Sequence, residues 1–215
     1  ALIAKLSAPA VTKEGKAAVV GGGPAGMAAA YFLRRAGMAV TLFEKKSALG
    51  GVVRHVIPEF RIPGTSIDKD AALLEKIGVE IRTNTEITSV EALKGEGYTN
   101  VVLAVGAYKP GNVRLEAGEA VNALKFLEEF KAKDGNLDLG KVVAVIGGGN
   151  TAMDTARAAK RTKGVEKVSL VYRRTKRYMP ADEEELVMAV EDGVEFMELL
   201  APVKAENGKL ICKVM

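Results

Sequence analysis

Cysteine is almost absent from this sequence, which contains one, Cys212, among 215 residues. A single cysteine cannot form an internal disulfide, a Cys-x-x-Cys redox pair or a Cys-ligated iron–sulfur cluster. These residues alone therefore exclude a dithiol reductase, and the low cysteine content favours a reducing, cytoplasmic compartment. Cys212 alternates with apolar residues, which is typical of a strand residue rather than of a reactive thiol.

Long apolar runs and a strong charge imbalance are also missing. No window approaches the ~18 consecutive apolar residues of a membrane-spanning helix. Residues 1–11 contain Lys5 and Pro9, which is not typical of a signal peptide. The net charge of +4 is too small to indicate nucleic-acid binding. The one histidine, His55, lies in a predicted loop, and we expect it to have no special role.

Glycine, in contrast, is abundant, with 23 residues that cluster in turns and motifs. Gly21, Gly23 and Gly26 have G-x-G-x-x-G spacing, after the apolar run 17–20 and before a predicted helix. In dinucleotide-binding folds the first glycine allows a tight turn, the second lets the backbone approach a pyrophosphate, and the third packs helix against strand. The helix N-terminus then offers N–H groups and a positive dipole end to the phosphate.

The same strand–turn–helix pattern returns at residues 142–152. Gly147, Gly149 and Ala152 match the G-x-G-x-x-A variant of the motif. One such motif is a weak indication, whereas two copies in the same context are a strong one. The sequence therefore predicts an α/β fold with two Rossmann-like units, each built on a parallel sheet.

The second strands of the two units end in residues of opposite charge. Glu44 follows the strand predicted at 40–43, about 20 residues after the first glycine motif begins. A carboxylate there accepts hydrogen bonds from ribose hydroxyls and repels a 2′-phosphate, so we expect unphosphorylated adenosine at the first site, as in FAD or NAD. The corresponding strand of the second unit ends in Tyr172, Arg173 and Arg174. Arginine binds phosphate bidentately, which predicts an adenosine 2′-phosphate at the second site.

A structural explanation exists for each of these strand ends. Glu44 could be a solvated glutamate at the end of a strand. The arginines belong to the stretch 160–177, which contains eight basic residues and one acid, and such a run is often only a solvated face. The position of each residue relative to its glycine motif favours the binding interpretation.

Turn and helix signals organise the rest of the chain. We expect residues 1–15 to be a linker and residues 133–136 to be a hinge between domains that span 16–132 and 133–215. Segment 47–64 is predicted to be a long irregular loop, which is often functional.

Three shorter signals complete the pattern. Thr65 and Asp68 could form a capping box at the start of the next helix. Lys109–Asn112 is predicted to be a turn. Residues 202–215 are predicted to form a β-hairpin around Asn207 and Gly208.

The motifs together resemble those of the two-dinucleotide-binding-domain flavoprotein oxidoreductases. Within them the sequence is similar to the NADPH-dependent glutamate synthase small-subunit-like group, which includes flavoprotein subunits assigned as selenate reductases. The resemblance rests on both glycine motifs, on the loop at 57–63, and on Tyr172-Arg-Arg174 followed by Met179-Pro-Ala181. It implies that the first unit binds FAD and the second binds NADPH.

The sequence departs from this group in three respects. Val105 stands where the group usually has threonine. The cysteine-rich iron–sulfur region of the group is not among these residues. Both units are expected to be incomplete at the C-terminus, so the sequence resembles a fragment of a longer flavoprotein.

The resemblance also implies which residues bind the cofactors. The candidates for FAD are Gly21, Gly23, Pro24, Ala25, Gly26, Glu44, Lys45, Gly51, Val52 and Gly106. The candidates for NADPH are Gly147, Gly149, Asn150, Thr151, Ala152, Arg173 and Arg174. No catalytic side chain and no metal site are expected, because the cofactors carry the redox chemistry.

The expected activity of the parent enzyme is hydride transfer from NADPH to FAD. The resemblance implies that the electrons then pass to iron–sulfur centres or to a partner subunit. We expect neither a nucleic-acid partner nor a membrane span. The alternative function is a non-catalytic nucleotide-binding or assembly module of a larger complex, which would carry no flavin that NADPH reduces.

Overall fold

The computed structural model of the chain describes residues 7–107, 111 and 113–215. The chain divides into two compact units. Unit 1 comprises residues 1–55 and 59–108, and unit 2 comprises residues 56–58 and 109–215. Among the described residues, no helix combines the length and the apolarity needed to cross a bilayer.

Unit 1 is built on a four-stranded parallel sheet in the order β3-β2-β1-β4. Its strands are β1 (Lys16–Val20), β2 (Ala39–Phe43), β3 (Glu80–Arg82) and β4 (Tyr98–Leu103). The central strand β1 is an almost continuous apolar run because both faces of the sheet are covered. Successive residues of β1 therefore pack into two different clusters, with Val19 on one face and Val20 on the other.

Within its described residues, unit 1 contains four helices. They are α1 (Pro24–Arg35), α2 (Gly51–His55), α3 (Gly64–Lys76) and α4 (Val90–Gly95). The larger core cluster joins Met27 and Ala30 of α1 to Ile67 and Leu74 of α3 over the sheet. The small side chain of Ala30 is fully buried, which lets α1 lie close to the strands.

Unit 2 contains a second parallel sheet in the order β5-β6-β7. Its strands are β5 (Val142–Ile146), β6 (Lys167–Val171) and β7 (Glu195–Met197), and its helices are α5 (Ala123–Ala132), α6 (Asn150–Arg161) and α7 (Glu183–Glu191). A 3₁₀ turn at Lys176–Tyr178 lies between β6 and α7. The antiparallel hairpin of β8 (Leu200–Glu206) and β9 (Lys209–Val214) follows.

The expected α/β fold with two parallel-sheet units is thus confirmed. The predicted hairpin is also present, with Asn207 and Gly208 both at positive φ in its turn. Cys212 lies in β9, as the alternation predicts, and burial raises the pKa of its thiol.

Two local expectations differ from the structure. The capping box is wrong, because α3 begins after Pro63 without a side-chain cap and Asp68 instead pairs with Arg54. The segment 47–64 is not wholly irregular, since it contains α2. The predicted turn at 109–112 lies largely outside the described residues, since only residue 111 of it is described.

The division between the units also falls earlier than the predicted hinge. The compact units separate at residues 108 and 109, whereas the sequence suggested 132 and 133. Residues 133–136 instead close the end of α5, with Gly135 donating to the Phe130 carbonyl at 2.7 Å. The structure groups α5 with unit 2, where it packs against α6.

Candidate nucleotide-binding sites

The first glycine turn joins β1 to α1 in unit 1. Gly21 has a φ of 105°, and a Cβ built on it would lie 2.4 Å from the Ala104 carbonyl oxygen. A Cβ on Gly26 would lie 1.8 Å from the Gly21 carbonyl oxygen. Both positions therefore require glycine, and Gly26 provides the close helix–strand packing that the motif predicts.

Gly23 has different surroundings. It is the N-cap of α1 with extended backbone, and a Cβ built on it would meet only the Gly51 Cα, at 3.8 Å. Protein contacts would tolerate a side chain there, so packing alone does not explain the glycine. The open space in front of Gly23 is a place where a phosphate could approach the backbone. Pro24 and Ala25 follow at the exposed start of α1.

Glu44 connects the end of β2 to this turn. One carboxylate oxygen, Oε2, accepts a hydrogen bond from the Gly22 N–H at 2.7 Å, and Oε1 accepts from the Lys46 N–H at 2.8 Å. Glu44 is 7% exposed. A carboxylate has about four acceptor sites, so two backbone bonds leave capacity for ribose hydroxyls. The structure thus places the side chain at the turn.

The remaining FAD candidates surround the same turn. Gly50 donates to the Gly22 carbonyl at 2.7 Å, which brings Gly51, at φ 53°, against Gly23. Val52 is exposed on the short helix α2, and Lys45 is exposed beside Glu44. Gly106 is exposed beyond β4 at a φ of 76°.

His55 ends α2 and contributes no obvious chemistry. Its Nε2 lies 3.3 Å from the Ala48 carbonyl oxygen. Burial lowers the pKa of the imidazole, against the opposing effect of that backbone contact. We therefore assign His55 no role in binding.

The second glycine turn joins β5 to α6 in unit 2. Gly147 has a φ of 149°, and a Cβ on it would lie 3.0 Å from the Ala152 Cβ. Gly149 is the N-cap of α6, and a Cβ there would meet only Pro180 Cγ, at 3.9 Å. The contrast between a crowded first position and an open second position therefore repeats that of unit 1. Thr151 is exposed in the first turn of α6.

A segment between β6 and α7 packs over this second turn. Ala181 donates to the Gly148 carbonyl at 3.0 Å. Asn150 and Asp182 exchange two hydrogen bonds of 3.0 Å each, one from the Asp182 N–H and one from the Asn150 amide. A Cβ on Gly148 would lie 2.5 Å from the ring of Tyr172. The start of α6 is therefore fixed from two sides.

The basic stretch 160–177 separates into groups with different partners. Lys167 pairs with Glu195, and Lys176 pairs with Glu183. Arg173 and Arg174 are exposed and, within the described residues, make no ion pair. They line an open cavity of about 390 Å³ together with Thr175, Tyr178 and Leu199. Four of the eight bases, Lys160, Arg161, Lys167 and Lys176, thus have partners within the protein, while the two arginines next to β6 line the cavity and are available for an anion.

An ionic cluster anchors α6 to α7. Asp192 accepts from Arg157 Nε at 2.7 Å and from both terminal nitrogens of Arg161 at 2.5 and 2.9 Å. Arg157 also lies 3.9 Å from a carboxylate oxygen of Glu185. The hydrogen bonds from Arg161, and then those from Arg157, hold the pKa of Asp192 below its usual value. This cluster fixes the position of the helix whose N-terminus forms the second turn.

Several residues of the sites were not predicted from the sequence. Gly22 contacts Glu44 and Gly148 contacts Tyr172, and each of these side chains directly follows the next strand of its sheet. Tyr178 and Asp182 reach the second site through a turn whose path the sequence does not specify. The one available signal was the Met179-Pro-Ala181 motif, which directly precedes Asp182. Among the described residues, no group of three or more His, Cys, Asp or Glu could hold a metal ion.

Residues 15–206 match the family described as pyridine nucleotide-disulphide oxidoreductase. The match covers most of the chain, and the chain therefore belongs to this FAD- and NAD(P)-binding family of oxidoreductases.

Three curated relatives illustrate the similarity. The chain is 48% identical over 204 residues to the Escherichia coli (strain K12) protein YgfK, named as an oxidoreductase, with 92% of this chain and 20% of YgfK covered. It is 34% identical over 209 residues to the NAD-dependent dihydropyrimidine dehydrogenase subunit PreT of the same strain, with 95% and 50% covered. It is 35% identical over 208 residues to a Cereibacter sphaeroides protein named as a small chain of NADPH glutamate synthase, with 90% and 50% covered.

These relatives confirm the resemblance to the glutamate synthase small-subunit-like group. The chain spans between about a fifth and a half of the length of these relatives. Two of them are named as subunits or chains of larger enzymes.

The fold is shared with solved structures at low sequence identity. The FprA protein of Mycobacterium tuberculosis, solved as a His57Gln mutant, matches with a TM-score of 0.69 at 18% identity, over 94% of this chain and 67% of FprA. This likeness concerns the fold alone.

Proposed function

We propose that the chain is the nucleotide-binding part of a flavoprotein oxidoreductase in which unit 1 binds FAD and unit 2 binds NADPH. One observation carries the proposal. Two glycine turns of similar geometry are followed by an acid in one unit, Glu44, and by an arginine pair in the other, Arg173 and Arg174. A carboxylate suits a ribose with free hydroxyls, and guanidinium groups suit a ribose 2′-phosphate.

The residues present fit these two dinucleotides. The second glycine of each motif has no protein atom nearer than 3.8 Å to the position a Cβ would take, so the backbone can be approached there. Each turn leads directly into a helix of 12 residues, whose N-terminal N–H groups favour an anion. The candidate sites thus combine open backbone, a helix N-terminus and a charged side chain that selects the ribose.

The chemistry belongs to the cofactors, which supply hydride transfer when they are bound. The side chains of this chain bind and orient them. Glu44 holds the first turn through Gly22 and offers its remaining acceptor sites to the ribose. Asn150, tied to Asp182, fixes the start of α6. No side-chain acid or base is assigned to the reaction.

The partner of the proposed enzyme would be an electron acceptor. Support comes from the relatives named as subunits or chains of larger enzymes. Two electrons arriving as hydride have to leave one at a time if an iron–sulfur centre receives them, and this is the acceptor we propose. The final substrate would be reduced there rather than by this chain.

The proposal is tested with the purified 215-residue chain. We expect FAD to raise the midpoint of thermal unfolding and NADPH to raise it further, because ligands that bind only the folded state stabilise it. We also expect NADPH to bleach the visible absorbance of bound flavin under anaerobic conditions. If neither nucleotide shifts the midpoint, and if the protein is colourless after incubation with FAD and removal of unbound flavin, the alternative of a non-catalytic assembly module is favoured instead.

A further inference from the structure

The cavity beside Arg173 and Arg174 has a second wall that the proposed function does not use. Tyr178 and Leu199 form this wall. Their side chains are aromatic and apolar, whereas the guanidinium groups and the Thr175 hydroxyl are polar. Tyr178 is 62% exposed and Leu199 is 38% exposed, although both are large apolar or aromatic side chains. The exposed ring contributes little to core packing, and it lines the same cavity as the two arginines.

The backbone around this wall is held in place. The hydroxyl of Tyr172 donates to the Tyr178 carbonyl at 2.6 Å. Glu198 accepts from the Lys176 N–H at 2.6 Å, at the start of the 3₁₀ turn that carries Tyr178. Leu199 has a φ of 59°, a conformation that residues other than glycine rarely adopt. Its N–H donates to the Arg174 carbonyl at 3.3 Å.

Tyr172 links this wall to the glycine turn. Its ring occupies the space in front of Gly148, while its hydroxyl bonds to the residue that presents the exposed ring. One side chain thus contacts both the glycine turn and the residue that carries the exposed ring. A ligand whose pyrophosphate lies at the turn and whose adenosine lies in the cavity would occupy both places at once.

We propose that Tyr178 is the platform on which an adenine ring stacks, with Leu199 beside it and with Arg173 and Arg174 on the adjacent 2′-phosphate. The ligand class is adenosine 2′-phosphate, the end of NADPH remote from the nicotinamide. The inference rests on the proposed function of unit 2 and adds a residue that contacts the adenine base. A cavity of about 390 Å³ lies within the range of roughly 300–1,000 Å³ typical of small-molecule sites. Tyr172 is the positioning residue of this subsite.

The base and the phosphate are distinguished by comparing two dinucleotides. NADPH and NADH carry the same adenine, so loss of the platform weakens both by the same factor. Only NADPH carries the 2′-phosphate, so loss of the arginines weakens NADPH selectively. A general disturbance of the fold would not produce these two patterns in two neighbouring sets of residues.

The experiment measures dissociation constants by isothermal titration calorimetry on the 215-residue chain, with adenosine 2′,5′-bisphosphate, NADPH and NADH. We expect Tyr178→Ser to weaken all three by roughly tenfold or more, the size of an aromatic–base stacking contact, and Tyr178→Phe to bind as the wild type. Tyr172→Phe keeps the ring over Gly148 but loses the hydrogen bond, and we expect it to weaken all three about twofold to tenfold. The exposed aromatic Phe32 of unit 1 provides a control, since Phe32→Ser should leave the binding of the bisphosphate unchanged.

The outcomes separate the inference from the proposed function. If the wild-type chain binds NADPH and Tyr178→Ser binds it equally well, the adenine platform is overturned and the NADPH site stands. If Tyr178→Ser weakens NADPH but leaves NADH unchanged, the ring acts on the phosphate and the platform is likewise overturned. If the wild-type chain binds neither NADPH nor the bisphosphate, both proposals fail together.

Discussion

The carboxylate of Glu44 accepts a hydrogen bond of 2.7 Å from the backbone N–H of Gly22, so the acid at the end of β2 holds the glycine turn at the end of β1. Its second oxygen accepts from Lys46 at 2.8 Å. Glu44 therefore has a structural function as well as the proposed ribose contact. This double function makes its replacement informative about both stability and binding.

Replacement of Glu44 should reduce stability and flavin binding together. Glu44→Ala leaves the N–H groups of Gly22 and Lys46 without their acceptor, and a buried donor without a partner costs about 1–3 kcal/mol. Urea denaturation measures the free energy of unfolding. The exposed residue Glu86 provides the control, and Glu86→Ala should change that free energy by less than about 0.5 kcal/mol. A Glu44→Ala variant as stable as the control would contradict the structural role.

Two of the three glycines in the first motif, Gly23 and Gly26, should respond very differently to the same substitution. Gly26→Ala places a Cβ 1.8 Å from a backbone oxygen, which forces strand and helix apart. We expect a loss of about 3 kcal/mol or more in the free energy of unfolding. Gly23 has a φ of −74°, and a Cβ there has room. Gly23→Ala should therefore change stability by less than about 1 kcal/mol, because alanine restricts the unfolded chain but is a poorer N-cap than glycine.

Gly23→Ala should also change the affinity for FAD. Gly23→Ala puts a methyl group where the phosphate is proposed to approach, and we expect it to fold well but to lose FAD affinity. Thermal unfolding with and without FAD measures both effects. A stable Gly23→Ala variant that retains wild-type FAD affinity would show that this glycine does not face a pyrophosphate.

Asp192 should make the stability of unit 2 depend on pH. Arg161 and Arg157 hold the pKa of Asp192 below its ordinary value of 3.8. A carboxyl with a lowered pKa in the folded state stabilises the protein above the ordinary value, and this contribution is lost as the pH falls through the folded-state pKa. We expect Asp192→Asn to cost about 2 kcal/mol near neutral pH, the size of charged hydrogen bonds.

Comparison across pH checks the sign of this effect. The difference in unfolding free energy between wild type and Asp192→Asn should be constant down to about pH 4 and shrink below it. The exposed residue Val190 of the same helix offers a control, since Val190→Ala removes no ionisable group and should show no such dependence. A difference that grows on acidification would refute the assignment.

The elements with strong local signals were predictable from the sequence. The apolar run 142–146 forms β5 over the same residues, because the glycines after it end the strand. Asn207 and Gly208 mark the hairpin turn because both tolerate positive φ. Both glycine motifs lie between a strand and a helix, as their spacing predicts.

The details that the sequence could not specify depend on contacts between distant residues. Asp68 has the sequence pattern of a helix cap but pairs with Arg54, which lies on α2. The eight basic residues of 160–177 resemble one charged face, yet Arg161 is used by Asp192 and Lys167 by Glu195. Tertiary packing decides which basic residues remain available for a ligand, and the local sequence does not indicate this.

The most direct measurement of the central claim is the ratio of NADH to NADPH dissociation constants for the wild-type chain and for Arg173→Ala/Arg174→Ala. If the pair binds the 2′-phosphate, each arginine contributes at least about tenfold to NADPH affinity, and NADH affinity should stay within about threefold of the wild type. Arg177→Ala removes a nearby charge that does not line the cavity and should leave the ratio unchanged. Equal losses for NADPH and NADH in the double variant would contradict the assignment of unit 2 to NADPH.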